Sequence, residues 1–192
     1  THFPYHHREI EPLVSDRTLN QGQIAPARAD ALREMYDNTA ANVDRAIGTT
    51  LDLVTASNGR TPAVIVTADH GESLFDEGFL GHGYALNDAQ TRIPLIIRGL
   101  PMEIAEPFGQ TDLRRAIGEA LSGDGPGGQM QPRVVREPGR VVFQYLGNIH
   151  RPRQIAFAGG GGRLIYDFRD RRVIREDGTT SGTVAPGEEW AP

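Results

Sequence analysis

The chain has 192 residues, of which 38% are hydrophobic and 23% charged, and its net charge is -5. This composition predicts a soluble globular protein and excludes disordered, collagen-like and membrane-spanning classes, while the mild acidity argues against a nucleic-acid surface. The chain has no cysteine, which excludes disulfide bonds and thiolate metal ligands within it, and all 20 of its basic residues are arginine.

The first strong pattern along the chain predicts an amphipathic helix over residues 27–57. Before it, residues 1–23 are rich in proline, histidine and turn formers, which indicates an extended, loop-like segment. Pro26 suits the first helical turn, and Asn58 with Gly59 suits the end of the helix. Its apolar stripe recurs at steps of three and four residues and consists of Leu32, Tyr36, Thr39, Val43, Ile47, Leu51 and Val54.

Two short apolar runs predict β-strands on either side of a long connection. Residues 63–67 are typical of a strand buried on both faces of a parallel sheet, and residues 93–97 form a second such run. The connection from Asp69 to Thr91 is long for a compact domain, and such loops are usually functional. With a further helix over 112–121, the alternation predicts an α/β fold with a mostly parallel sheet flanked by helices.

The C-terminal part of the chain differs in character. Residues 122–139 are rich in glycine and proline, which predicts a linker or a loop. Closely spaced short strands then predict a small antiparallel sheet, so we divide the chain into an α/β part over 1–121, this linker, and a subdomain over 140–192. The predicted strands cover residues 141–146, 154–158, 163–168 and 172–175.

The residues most suited to chemistry follow the first predicted strand. Asp69 and His70 are adjacent at its carboxyl end, where α/β sheets bind ligands, and both can reach one cation. Oxygen and nitrogen donors together suit zinc or manganese better than calcium. His82, flanked by two glycines, could donate a hydrogen bond to an anion. Taken singly, each of these features is more often a turn, a surface ion pair or a loop without a function.

Together, however, several separated motifs resemble the C-terminal portion of the sulfatase-like branch of the alkaline phosphatase superfamily. The pattern is most similar to the phosphoethanolamine and phosphoglycerol transferase-like and phosphodiesterase-like members of that branch. The resemblance implies an alkaline-phosphatase-like α/β fold and, for this chain, an incomplete domain. It is carried by the segments 1–5, 64–72, 81–83 and 92–97, by positions in the long helix at residues 36–48, and by 164–167.

The resemblance implies roles for individual residues. Asp69 and His70 would be metal ligands. His2 and His82 would be catalytic and contact the phosphoryl or sulfuryl oxygens or a second metal. Glu72 would either accept a hydrogen bond from His70 and so orient it, or be an acidic residue at the start of a helix, where its charge interacts favourably with the helix dipole.

The resemblance also implies a reaction. In this family a threonine, a serine or a formylglycine made from cysteine attacks in line, and that nucleophile lies upstream of the motifs present here. We therefore expect this chain to be part of a longer metal-dependent hydrolase or transferase and to show no turnover alone. Calcium-type sulfatases usually have asparagine at the position of His70 and a lysine nearby, so this chain favours phosphate esters with zinc or manganese.

The expected partner is an anionic phosphate or sulfate ester, with a lipid or a glycan as its larger part, and not a nucleic acid. A membrane anchor upstream would place the parent protein outside the cytoplasm, in the periplasm or on the outer face of the membrane. Two alternatives stay open at this stage. One is a sulfuric ester hydrolase with formylglycine, and the other is a non-catalytic module that has kept the fold.

Overall fold

The computed structural model describes residues 24–123, 131–148, 150–175 and 180–183. Helix α1 runs over Ala29–Asn58 after a short 3-10 turn at Pro26–Arg28. It ends at Gly59, which adopts a left-handed conformation (φ 65°) and donates its backbone N–H to the Thr55 carbonyl. A side chain is disfavoured in that conformation, which explains why the helix stops at this glycine. The predicted helix is confirmed.

The first turns of α1 supply one of the hydrophobic clusters. Leu32 and Met35 are buried, whereas Val43, farther along the same stripe, is 42% exposed. The apolar period therefore predicted the helix correctly, but among the described residues only its N-terminal third is buried. The cluster comprises Ile24, Leu32 and Met35 with Tyr36, Leu74, Phe75 and Leu80 packed against them.

Strand β1 (Val64–Thr67) is followed by the site loop, which we define as residues 69–91. The site loop contains two short strands that pair with each other, β2 (Ser73–Leu74) and β3 (Leu80–Gly81), and a single helical turn, α2 (Asp88–Thr91). The long connection that was predicted to be functional therefore has secondary structure and hydrogen bonds of its own.

Strand β4 (Leu95–Arg98) returns from the site loop and pairs with β1 in antiparallel register, with Val64 opposite Arg98 and Thr67 opposite Leu95. Both strands are only half-buried. The prediction of a mostly parallel sheet, with β1 buried on both faces, therefore does not hold for the described residues. An apolar run predicts a strand, but it does not encode the direction of the strand that pairs with it.

A parallel pair does occur farther along the chain. Strand β5 (Glu103–Glu106) pairs with β6 (Arg133–Arg136), and helix α3 (Gln110–Ser122) lies between them in the sequence. Strand β6 lies within residues 122–139, where the glycine and proline content predicted a linker or a loop. The core between α3 and the strands is formed by Met102, Ile104 and Ala116 with Ile65, Leu95, Ile97, Leu100, Phe108, Leu113, Ile117 and Ala120.

The C-terminal sheet is an antiparallel meander of five strands, of which the sequence predicted the first four. The strands are arranged in the order β11-β10-β9-β8-β7. One face of the sheet buries Leu146 and Ala156 against Leu86 of the site loop and against Ile165. The strand bounds are β7 (Val141–Asn148), β8 (Arg151–Gly159), β9 (Gly162–Asp167), β10 (Arg172–Arg175) and β11 (Thr180–Thr183).

One arginine joins α3 to the C-terminal sheet. Arg140, directly before β7, lies 2.6 Å from an Asp112 carboxylate oxygen and donates to the Pro107 carbonyl at 2.8 Å. Asp112 in turn accepts the backbone N–H of Gly109 and so caps the start of α3.

None of the helices in the described part of the chain is both long and apolar enough to cross a membrane.

Candidate active site

The site loop leaves the end of β1 at a point held by two side chains. The Thr67 hydroxyl donates to the Pro94 carbonyl at 2.8 Å, which ties the end of β1 to the start of β4. The Gln110 amide donates to the carbonyls of Ala68 and Asp69, at 3.1 and 2.7 Å. The first residue of α3 therefore fixes the backbone that carries the candidate metal ligands.

Asp69 and His70, the predicted metal ligands, lie side by side at the start of the site loop. The Asp69 carboxylate is 88% exposed, and one of its oxygens lies 3.7 Å from His70 Nε2. His70 Nδ1 lies 2.9 Å from the Gly71 carbonyl, which can only accept, so Nδ1 carries the proton and Nε2 has the lone pair in the neutral ring. The pKa of Asp69 is below its usual value because of a hydrogen bond from its own backbone and the nearby His70.

Gly71 is required for close packing within the loop. Its backbone N–H donates to the Gln90 carbonyl at 2.9 Å. A Cβ at this position would lie 2.1 Å from the Ala89 carbonyl oxygen, well inside van der Waals contact. Glycine is therefore required because the two ends of the site loop touch here, and not because of the sharp turn that its position suggests.

His82 lies against His70. The two imidazole rings stack with their centroids 3.8 Å apart. His82 Nδ1 donates to a Glu72 carboxylate oxygen at 3.0 Å, and the Glu72 side chain is only 5% exposed. Glu72 thus supports His82 rather than His70. It precedes a strand, so a favourable interaction with a helix dipole does not explain it either.

Sequence reasoning missed Gln90, which closes the loop. Its side chain is buried, its amide nitrogen donates to the fully buried Ser73 hydroxyl at 3.0 Å, and its amide oxygen accepts the backbone N–H groups of Tyr84 and Ala85. A glutamine in a polar loop gives no periodic signal, so only the folded loop shows that this side chain joins three distant positions.

Charged loop residues also have structural partners. Asp76 accepts the Leu74 backbone N–H at 2.7 Å and lies 3.7 Å from Arg33 of α1. Asp88 accepts a hydrogen bond from Arg163 of the C-terminal sheet. His150 is exposed at the turn between β7 and β8.

A cavity of about 700 Å³ opens beside the candidate site. Asp69, His70 and His82 lie at one side of it, and the edge strand β7 with Arg163 lies at the other. The Arg163 side chain is 10% exposed where it meets Asp88. The C-terminal sheet therefore forms the wall that a ligand at the histidines would face.

The donors present fit a divalent cation. Two ligands of one tetrahedral zinc ion, each about 2.0–2.1 Å from it, lie about 3.4 Å apart, close to the separation between Asp69 and His70. Within the described ranges, however, no group of three histidine, cysteine or acidic side chains could hold a metal ion. His2 lies outside the described residues, so its predicted role stays a prediction.

Comparison with known proteins gives the family. The phosphoethanolamine transferase EptA of Escherichia coli (strain K12) is 28% identical over 99 residues, which cover 50% of this chain and 17% of that protein. EptA of Salmonella typhimurium is 26% identical over 103 residues, or 50% of this chain and 19% of that protein, so the chain spans less than a fifth of these relatives. No solved structure matches significantly. The model of the sulfatase family matches residues 1–107, more than half of the chain, and the chain therefore belongs to the sulfatase family, within the alkaline phosphatase superfamily.

Proposed function

We propose that this chain supplies part of the metal site and the substrate wall of an enzyme that acts on phosphate esters. The observation that carries the proposal is the juxtaposition of Asp69, His70 and His82 at the side of one cavity. The similarity to phosphoethanolamine transferases favours a phosphate ester, with a lipid or a glycan as its larger part. The attacking threonine or serine and the remaining metal ligands would come from upstream of this chain.

In this proposal Asp69 and His70 would hold the metal, zinc or manganese rather than calcium. The ion would supply positive charge where negative charge gathers on the ester oxygens and would favour ionisation of the attacking hydroxyl. His70 presents Nε2 because its Nδ1 proton is held by the Gly71 carbonyl. A histidine whose second nitrogen is fixed in this way is a typical metal ligand.

His82 would contact an oxygen of the transferred group. Its Nδ1 proton is held by Glu72, so its contact with an ester oxygen would be made through Nε2. Because the Glu72 carboxylate is nearly buried and accepts the Nδ1 hydrogen bond, it fixes the orientation of the His82 ring. Glu72 is thus a positioning residue for His82.

The parent protein would work outside the cytoplasm, anchored in a membrane by a segment upstream. This placement is favoured by the lipid-like or glycan-like substrate that the relatives suggest. Protease protection of a tagged parent protein in intact cells and in spheroplasts would test it, because an extracytoplasmic domain becomes accessible only when the outer barrier is removed.

Metal titration tests the site directly. We expect calorimetric binding of zinc or manganese to the full-length parent protein, which supplies the remaining ligands, and this binding should be weakened more than about 100-fold by Asp69→Ala, since a lost ligand costs more than a lost outer partner. Asp52→Ala, an exposed acidic residue of α1, is the matched control and should leave binding unchanged. Equal metal affinity in the two variants would refute the proposal.

A second titration separates the roles of the two histidines. In the zinc-loaded parent protein, His82→Ala and Glu72→Ala should each weaken binding of inorganic phosphate about tenfold or more, while zinc affinity changes little. Glu72→Gln keeps an oxygen acceptor for Nδ1 and should restore part of the loss. Inorganic sulfate as a competitor distinguishes a phosphate site from a sulfate site, and tighter binding of sulfate would favour the sulfuric ester alternative.

A further inference from the structure

Among the described residues, one face of the C-terminal sheet is apolar and exposed at its β7 edge. We call it the outer face, because it lies opposite the face that buries Leu146 and Ala156. Side chains alternate along a strand, so Phe143 and Tyr145 lie on this face, and they are 68% and 55% exposed. The strand register places further, half-buried apolar residues on the same face, namely Ile155, Phe157, Leu164, Tyr166 and Val173.

One end of the outer face is basic. The turn between β7 and β8 and the turn between β9 and β10 lie at the same end of the meander. Arg151, Arg169 and Arg171 are exposed there, and in the described part of the chain none of them forms a salt bridge. Phe168, in the same turn and 45% exposed, packs edge-on against Tyr166 at 4.9 Å.

This surface differs in charge from the whole protein. Residues 141–175 contain seven arginines and two aspartates, although the chain as a whole has a net charge of -5. Asp167 is buried and accepts hydrogen bonds from Gln154 and from two backbone N–H groups, and Asp170 lies 3.3 Å from Arg172. The charge that this end of the sheet presents to solvent is therefore mainly positive.

We propose that the outer face and its arginine-bearing turns dock on an anionic phospholipid surface. Aromatic side chains are enriched at the membrane interface, and arginines near such a surface are attracted by its negative potential. Stable attachment to a membrane needs two weak interactions together, and this face offers both exposed aromatic side chains and exposed arginines. The docking does not require the proposed ligands Asp69 and His70, although Phe143 and Tyr145 also line the cavity beside them.

Other occupants explain less of this surface. An acidic protein would account for the arginines, but it would not require the broad apolar face beside them. A second copy meeting the same face would bring like charges together around its two-fold axis, which is unfavourable. A lipid interface accommodates both properties, since its headgroups are charged and its acyl boundary is apolar.

Dye fluorescence tests which face docks. Because the chain has no cysteine, a single environment-sensitive dye can be placed at Phe143→Cys or, as the control, at Leu53→Cys on the exposed side of α1. With phosphatidylcholine vesicles containing about 30% phosphatidylglycerol, the fluorescence emission of the dye at position 143 should shift to shorter wavelength, whereas the emission of the dye at position 53 should not. A shift only at 53, or equal responses to pure phosphatidylcholine vesicles, would overturn the proposal.

Charge variants test the contribution of the turns. Arg169→Gln with Arg171→Gln should lower the partition coefficient about fivefold per arginine, and binding should weaken as salt is raised. Arg45→Gln with Arg60→Gln removes the same charge from exposed positions outside the sheet and should have a clearly smaller effect. Equal losses in the two double variants, or a vesicle-independent dimer that shields the dye at 143, would contradict docking of this face on lipid.

Discussion

The site loop keeps its shape through polar side chains, whereas the C-terminal sheet keeps its shape through a continuous backbone ladder. In the loop, Gln90 and Gly71 connect positions that are far apart in the sequence. In the sheet, every strand pairs with its neighbour along the chain, and small or apolar residues such as Ala156 fill the space beneath. A loop of this kind can place functional groups at chosen angles, but it depends on a few irreplaceable residues.

The largest effect is expected at Gly71, where the comparison predicts that the loop cannot adapt. Gly71→Ala would put a Cβ 2.1 Å from the Ala89 carbonyl oxygen. The backbone cannot easily move apart to relieve this clash, because the Gly71–Gln90 hydrogen bond holds the two segments together. We expect a loss of more than about 3 kcal/mol in the free energy of unfolding, together with loss of metal binding. Urea denaturation and metal titration measure the two effects.

Gly118→Ala is the control for this change. Gly118 lies in α3, and a Cβ there would meet nothing within 4 Å. Alanine is the better helix former, so this variant should gain up to about 1 kcal/mol. A Gly71→Ala variant as stable as Gly118→Ala would show that the loop can adapt after all.

In the sheet, a large change should alter stability without altering the site. Leu146→Ala removes a buried side chain that packs against Leu86 and Ala156, and should cost about 2 to 3 kcal/mol. Zinc affinity measured well below the melting temperature should stay within about twofold of the value without the substitution, since Leu146 packs against Leu86, which is far along the site loop from Asp69 and His70. A large drop in zinc affinity would mean that the sheet and the metal site are coupled.

A buried amide in the loop should matter less for stability but more for the site. Gln90→Ala leaves the buried Ser73 hydroxyl and the N–H groups of Tyr84 and Ala85 without their partner, at a cost of about 2 kcal/mol. We also expect weaker metal binding, because Gly71 and His70 lose their support. Gln131→Ala, at an exposed position, should change neither quantity.

The smallest effect is expected at the junction between α3 and the sheet, and it depends on pH. Burial alone would raise the pKa of Asp112, but the Gly109 N–H and Arg140 outweigh it and hold that pKa below its usual value. The stabilisation is therefore complete above the unfolded-state pKa of about 3.9 and is lost as the pH falls through the lower folded-state value.

The pair should contribute about 1 kcal/mol at neutral pH. Arg140→Gln should lower the urea midpoint near pH 7 and reduce the part of the acid-induced loss that comes from Asp112. Arg114→Gln, an exposed arginine on the same helix, serves as the control. A parallel downward shift of the whole pH profile would indicate lost packing rather than a lost ion pair.

Most of the secondary structure could be predicted from the sequence because it depends on local patterns. The apolar period gave the long helix to within two residues at its start, and Gly59 ended it as expected. Closely spaced apolar runs and turn residues predicted the first four strands of the C-terminal sheet, but not β11. Strand β6 was missed because a glycine- and proline-rich stretch resembles a linker, and its pairing with β5 is a contact across α3.

By itself, the sequence determined which residues are suited to the chemistry and which family they resemble, because adjacent donors and ordered motifs are local properties. The family is confirmed for residues 1–107. Only the tertiary structure decided that β1 and β4 are antiparallel, that Glu72 supports His82, and that Gln90 closes the loop. These features depend on contacts between segments that are distant in the sequence. The direction in which two strands pair and the partner that a buried side chain reaches are set by the packing of the whole chain.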